Sequence, residues 1–252
     1  MSPWCNLHRS LFAAMIAVVA QAGTIDPGID DAKYREYGET FATYTCRVMG
    51  TNTDDELLAG TCTIISPRWA LTAAHVVADM TEVYVVCGKE PHRVDRVFLH
   101  AGWGGVFAKD DIALVRVAKP FPLTYYPPLT DGTEQVGTVC TAVGYGVTGT
   151  LESGWVTGDN LIRAGTQLLA SQERNVWVCQ ITRHGTPLPY CIAPGDSGGP
   201  LWARASDGRT VLVGVNSYTA KAGTDVRSRA GEESGHTRVA MYLDWIAEVT
   251  EE

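Results

Sequence analysis

Residues 194–200 read Pro-Gly-Asp-Ser-Gly-Gly-Pro, a single serine set among three glycines and an aspartate. Glycine opens backbone angles closed to other residues and lets another chain come close, as a nucleophile on a tight exposed turn requires. The same composition suits a plain surface turn, so Ser197 needs partners before it implies chemistry. A serine hydroxyl attacks only beside a general base, and the base needs a group to orient it. His75, in WALTAAHVV, is the candidate base: it follows an apolar run ending at Thr72, and two alanines leave its ring room. A histidine in such a setting can instead be a packed structural residue. Asp111, in KDDIALVRV, is the candidate orienting group, because it heads an apolar run and its carboxylate would sit at the edge of a core. The rival reading is a solvated acid at a strand start, a role that suits neighbouring Asp110 better. In chain order the set is His75, Asp111, Ser197.

Such a set works only if separate segments fold together around it. The 252 residues suffice for one large domain or two modest ones, and an apolar content of 45% allows a packed core. With 26 glycines and 12 prolines, turns are frequent. Between them recur short runs rich in Val, Ile, Thr or aromatics: 41–48, 62–65, 69–72, 83–87, 94–99, 112–117, 136–143, 175–181 and 210–218. Regular short strands predict an all-β sandwich or barrel. Helical periodicity is confined to the end, where residues 240–249 place Met241, Trp245 and Ile246 on roughly one face and predict a docked helix. Residues 118–134, with four prolines and Gly132, predict a linker between halves.

A net charge of −8 argues against a nucleic-acid or anionic-membrane partner. The first 22 residues carry Arg9, an apolar run and the small-residue site Ala20-Gln21-Ala22. They predict a secretory signal peptide, with Gly23 the first mature residue and no stable membrane association afterwards. The protein is therefore expected outside the cytoplasm, extracellular or periplasmic. Six cysteines then remain: Cys46, Cys62, Cys87, Cys140, Cys179 and Cys191. Three fall in each half, so pairing within halves leaves one over: either a bridge crosses or two thiols stay free. No Cys-x-x-Cys, Cys/His or His-Glu-x-x-His spacing is present, so no metal site and no cofactor are expected.

LTAAHVV, DIALVRV and GDSGGP resemble the three catalytic stretches of the trypsin/chymotrypsin family of serine peptidases. GTVCTAVGYG resembles the strand that opens that family's second barrel, VGVNSY the segment beside bound substrate, and HTRVAMYLDWI the last strand and terminal helix. The resemblance spans about residues 40–250. It implies two packed six-stranded antiparallel β-barrels with a C-terminal helix: a peptidase domain over 41–252, with barrels at about 41–118 and 134–239 and the helix at 240–250. Residues 23–40 would precede it as an N-terminal mature segment. By the same resemblance Ser197 attacks the scissile carbonyl and His75 takes its proton, then gives it to the leaving amine. Asp111 orients His75, and the amides of Gly195 and Ser197 form the oxyanion hole. Cys191, Ser217, Tyr218 and Thr219 would contact substrate, Ser217 also fixing Asp111, and Asp196 would be structural beside the site. The substrate would be a protein or peptide, and a chain of this length with no added module suggests a monomer.

Several positions depart from the family pattern. Val76 follows the histidine where a cysteine is usual, and no cysteine follows Ser197. Cys191 stands where trypsin-like enzymes carry an acid, and CIAPGDSGGP is closer to secreted bacterial members. Thr219 replaces a pocket-wall glycine and would narrow the pocket; Asp225, Glu232 or Glu233 could reach it and favour a basic side chain. Many relatives are cut to free an amino terminus, commonly Ile-Val-Gly-Gly, that pairs with the aspartate before the serine. GTIDPGIDDAKYREYG stands here instead, so either a polar network or an arginine pre-organises Asp196, or an unrecognised cut occurs. Two other readings compete. Gly195-x-Ser197-x-Gly199 also fits the nucleophile elbow of α/β-hydrolases, but that order is Ser, Asp, His, and few residues remain after Ser197. A protease fold retained as a silent binding module is the second.

Overall fold

Runs of β-branched residues punctuated by turns close on themselves twice. The computed structural model describes residues 23–221 and 225–251; the expected signal segment, 1–22, lies outside them. The described chain opens with a short strand, β1 (Thr24–Ile25), and a helix, α1 (Asp31–Glu39), capped by the Asp30 side chain on the Ala32 amide. The first barrel follows, from β2 (Thr45–Thr51), β3 (Leu57–Ser66), β4 (Trp69–Thr72), β5 (Glu82–Cys87), β6 (Glu90–Leu99) and β7 (Ala113–Val117). Its strands close in the order β2-β3-β4-β7-β6-β5. A one-turn helix, α2 (Ala74–Val77), leaves the end of β4. All four residues of β4 are buried, because it lies between β3 and β7 with side chains packed on both faces.

The remaining strands are β8 (Val139–Gly144), β9 (Thr148–Thr150), β10 (Gly154–Thr157), β11 (Arg163–Glu173), β12 (Val176–Gln180), β13 (Tyr190–Cys191), β14 (Pro200–Arg204), β15 (Thr210–Ala220) and β16 (Glu233–Arg238). Six of them close the second barrel in the order β11-β12-β16-β15-β14-β8. The other three form a small sheet with the N-terminal strand, in the order β10-β9-β1-β13. Each barrel is filled by its own inward side chains, Val48, Ile64, Leu71 and Leu114 in the first, Leu169, Trp177, Leu201 and Val213 in the second. Each such side chain contributes roughly 1.5–3 kcal/mol through removal from water.

Two closed six-stranded barrels are the expected fold. Several details differ from the expectation. Helix α1 and strands β11 and β14 fall in segments where no element was expected. The C-terminal segment starts as a 3-10 turn (Val239–Tyr242) and becomes α-helical, α3, over Leu243–Thr250. That phase change turns Met241 out to solvent and leaves Ile246 and Val249 as the buried residues. Among the described residues one disulfide, Cys46–Cys87, joins β2 to its neighbour β5 in the first barrel. Cys62, Cys140, Cys179 and Cys191 are all buried and unbridged, so four thiols stay free rather than two. Burial pushes the Cys140 thiol up to about 12. No helix among the described residues is long and apolar enough to cross a membrane.

Candidate active site

The two barrels meet at the ends of β4, β7 and β15, and the candidate residues gather there. His75 sits on α2, whose buried neighbours Ala73 and Ala74 let the turn pack tightly against the first barrel. Asp111 precedes β7 and is fully buried. Its Oδ2 lies 2.7 Å from His75 Nδ1, and its Oδ1 accepts the His75 backbone amide at 2.9 Å. One carboxylate thus fixes both the ring and the backbone of His75. The Ser217 hydroxyl, from β15, donates to the same Oδ2. A third tie comes from β16, where the Thr237 hydroxyl donates to the Asp111 carbonyl at 2.9 Å.

Ser197 lies on the turn between β13 and β14. Gly195 and Gly198 there have φ of +94° and +81°, the left-handed region that favours glycine. A Cβ on Gly198 would also lie 2.1 Å from Thr72 Oγ1 and 2.2 Å from the Thr61 carbonyl. The close approach is made by the first barrel: the Thr61 amide donates to the Ser197 carbonyl at 2.8 Å and its hydroxyl to the Gly195 carbonyl at 2.8 Å. Among the described residues, no group accepts from the amides of Gly195 and Ser197, and no hydrogen bond joins Ser197 to His75.

Asp196 points the other way and is fully buried. Its carboxylate accepts from the Gly146 amide at 2.8 Å, the Ala193 amide at 2.9 Å, the Tyr190 hydroxyl at 3.1 Å and the Gly23 backbone amide. Burial raises its pKa to about 6, against the pull of those four donors. Among the described residues the network is polar and holds no arginine.

His75, Ser197, Ser217, Tyr218 and Thr219 line one cavity of about 300 Å³, with Phe107, Ile192, Ala193 and Pro194. Cys191 is not among them: it is fully buried in β13, paired with Thr24 of β1. None of the three acids considered for the pocket lines it. Asp225 pairs with Arg227 and Arg229, and Glu232 is buried on the Arg227 amide and the Arg229 side chain. Glu233 is exposed. The expectation of a basic preference through one of them therefore has no counterpart in the cavity. The residue that sequence reasoning missed is Phe107, whose ring meets His75 edge-on at 4.9 Å. An exposed aromatic in a loop gives no periodic signal by which to find it.

A family model described as Trypsin matches residues 38–246. Brachyurin from Leptuca pugilator is 30% identical over 73% of this chain and 84% of its own length. Chymotrypsin-like elastase family member 1 from Macaca fascicularis is 29% identical over 73% and 76%. A solved collagenase structure (HL collagenase) superposes with a TM-score of 0.62 at 21% identity, covering 83% of this chain and 94% of that one; at that identity it speaks to the fold alone. These relatives are animal proteases, and none supports the closeness to bacterial members read from CIAPGDSGGP.

Proposed function

Because the chain belongs to the trypsin family of serine peptidases, we propose that it is a secreted endopeptidase using His75, Asp111 and Ser197 as its triad. The observation that carries this reading is the 2.7 Å bond between His75 Nδ1 and Asp111 on a cavity that Ser197 shares. With Nδ1–H committed to Asp111, the other ring nitrogen is the free base. It takes the Ser197 proton as Oγ attacks the scissile carbonyl. The bond between Ser197 and His75 forms as substrate binds, when such contacts tighten. The unused amides of Gly195 and Ser197 receive the oxyanion, a donor pair of which each member is worth about 2.7–4 kcal/mol in the transition state. His75 then protonates the leaving amine, and water repeats the sequence on the acyl-enzyme. The cavity wall of Ile192, Ala193 and Thr219 fits a small neutral side chain at the cleaved bond.

Removal of residues 1–22 would turn the Gly23 amide into an ammonium group beside Asp196. That supports a mature enzyme pre-organised by its polar network, with signal removal as the last cut required. The deciding experiment is cleavage of a mixed peptide library by the secreted protein and by Ser197→Ala, with the mature N-terminus read by mass spectrometry. Cleavage by wild type alone, after small neutral residues, is the expected result. Equal cleavage by both proteins, or none by a folded protein starting at Gly23, overturns the reading.

A further inference from the structure

Behind the Ser197 turn runs a chain of polar side chains that the peptidase reading does not use. Asn216 of β15 and His236 of β16 sit side by side on adjacent strands as register partners, and both are fully buried. His236 Nδ1 lies 2.9 Å from Asn216 Oδ1. Asn216 Nδ2 donates to two carbonyls, Val143 and Asp196, each at 3.1 Å. Those two bonds fix which end of the Asn216 amide is nitrogen, so Oδ1 must face His236 and the imidazole must carry its proton on Nδ1. The other ring nitrogen is then an acceptor, 2.9 Å from Ser234 Oγ and 2.9 Å from Gln167 Oε1, itself an acceptor. Turning the Gln167 amide over gives its otherwise unpartnered nitrogen a place in the same chain. Burial drives the His236 pKa down to about 3, so the ring stays neutral.

The plain reading is that buried strand residues must satisfy one another, as buried polar groups do. The direction of the chain says more. It ends on the Asp196 carbonyl, and a peptide group is planar. The other end of that same plane is the Ser197 N–H. The Asn216 backbone adds two bonds to the turn, accepting from Gly198 at 2.7 Å and donating to Gly199 at 2.8 Å. The next residue, Ser217, donates to Asp111. One position in β15 therefore meets the serine turn, and its neighbour meets the orienting aspartate.

We propose that Asn216, held in orientation by His236, is a positioning residue for hydrolysis: it fixes the Asp196–Ser197 peptide plane and so aims the Ser197 amide at the oxyanion. This rests on the peptidase reading above. The test is kcat per active site, counted by complete labelling with a serine-reactive phosphonate. Asn216→Leu keeps the volume and removes the donors; it should lower kcat per site by about 10- to 100-fold, the scale of a donor misplaced by an ångström. KM should stay within about twofold, because the interaction acts in the transition state. His236→Phe should lower kcat less, and His236→Asn, whose amide nitrogen can stand in for Nδ1–H, should recover most of it. A kcat per labelled site within about twofold of wild type in Asn216→Leu overturns the proposal, whatever happens to melting temperature. Should Asn216→Leu not fold, Asn216→Ser, which keeps the backbone bonds and loses those of the amide, decides by the same criterion. A wild type that takes no label removes the peptidase reading instead.

Discussion

The ring of Tyr190 occupies the space that a side chain on residue 23 would need: a Cβ built on Gly23 would lie 2.1 Å from the ring's Cζ and 2.3 Å from Cε2. The Tyr190 hydroxyl donates to Asp196 while the Gly23 amide donates beside it. Bulk and nitrogen thus come from two different residues. While residue 22 is attached Gly23 also has φ of +50°, a further strain on any larger residue; in the processed chain crowding alone remains. Gly23→Ile in the processed chain should displace Tyr190 and lower kcat/KM by about 10- to 100-fold, on the scale of a misaligned site. Unchanged kinetics would show that Tyr190 can move aside without disturbing Asp196.

Two buried groups pull stability in opposite directions with pH. Asp196 has a folded pKa near 6, above its ordinary 3.8. Its contribution is full below 3.8 and lost as pH rises through 6. His236 is depressed to about 3 from 6.5, so its contribution is full above 6.5 and lost as pH falls toward 3. Melting temperatures from pH 4 to 7 should therefore fall more steeply toward acid in Asp196→Asn than in wild type, and less steeply in His236→Asn. A free Gly23 ammonium would pull Asp196 back down, so the Asp196 effect should be largest in chains that retain residues N-terminal to Gly23.

The cysteines allow a direct count. A processed chain unfolded without reductant should expose four reactive thiols, from Cys62, Cys140, Cys179 and Cys191. Two would mean one further bridge, and none would mean two, one of them joining Cys62 of the first barrel to a cysteine of the second half. Replacing Cys46 and Cys87 together by alanine should cost about 3–4 kcal/mol, the scale for a loop between 15 and 100 residues; they are 41 positions apart.

Thr219 gives the sharpest test of side-chain preference. It lines the cavity beside Ile192 and Ala193. Thr219→Gly should open that wall and raise kcat/KM for large aromatic residues at the cleaved bond by about tenfold, while small residues change little. If aromatic substrates gain nothing, another residue closes the pocket.

The first barrel and the candidate triad were legible in the sequence because their signals are local. LTAAHVV is the apolar end of β4 running into the turn of α2 that carries the histidine, DIALVRV is an apolar strand headed by its acid, and GDSGGP is a turn whose glycines each answer a backbone need. Helix α1 was not legible: DAKYREYGE buries Tyr34 and Gly38 and gives no apolar periodicity. Strand β11 was missed because RAGTQLLASQE mixes charge and amide into a strand paired on both edges. The Asn216–His236 contact lies 20 positions apart and depends on strand register, which composition does not carry. The C-terminal helix failed in one respect only, since a 3-10 turn advances 120° per residue and put Met241 out of phase with Ile246.

The candidate machinery is divided by topology. His75 and Asp111 belong to the first barrel and Ser197 to the second, and the seam between them is stitched by Thr61, whose amide and hydroxyl hold the Ser197 and Gly195 carbonyls. Neither half carries the whole set. A constellation split in this way is a coincidence detector: its members meet only while two separately closed barrels are docked in register, and the same docking buries Val143, Trp202 and Val215 of the second barrel in one cluster with the core of the first.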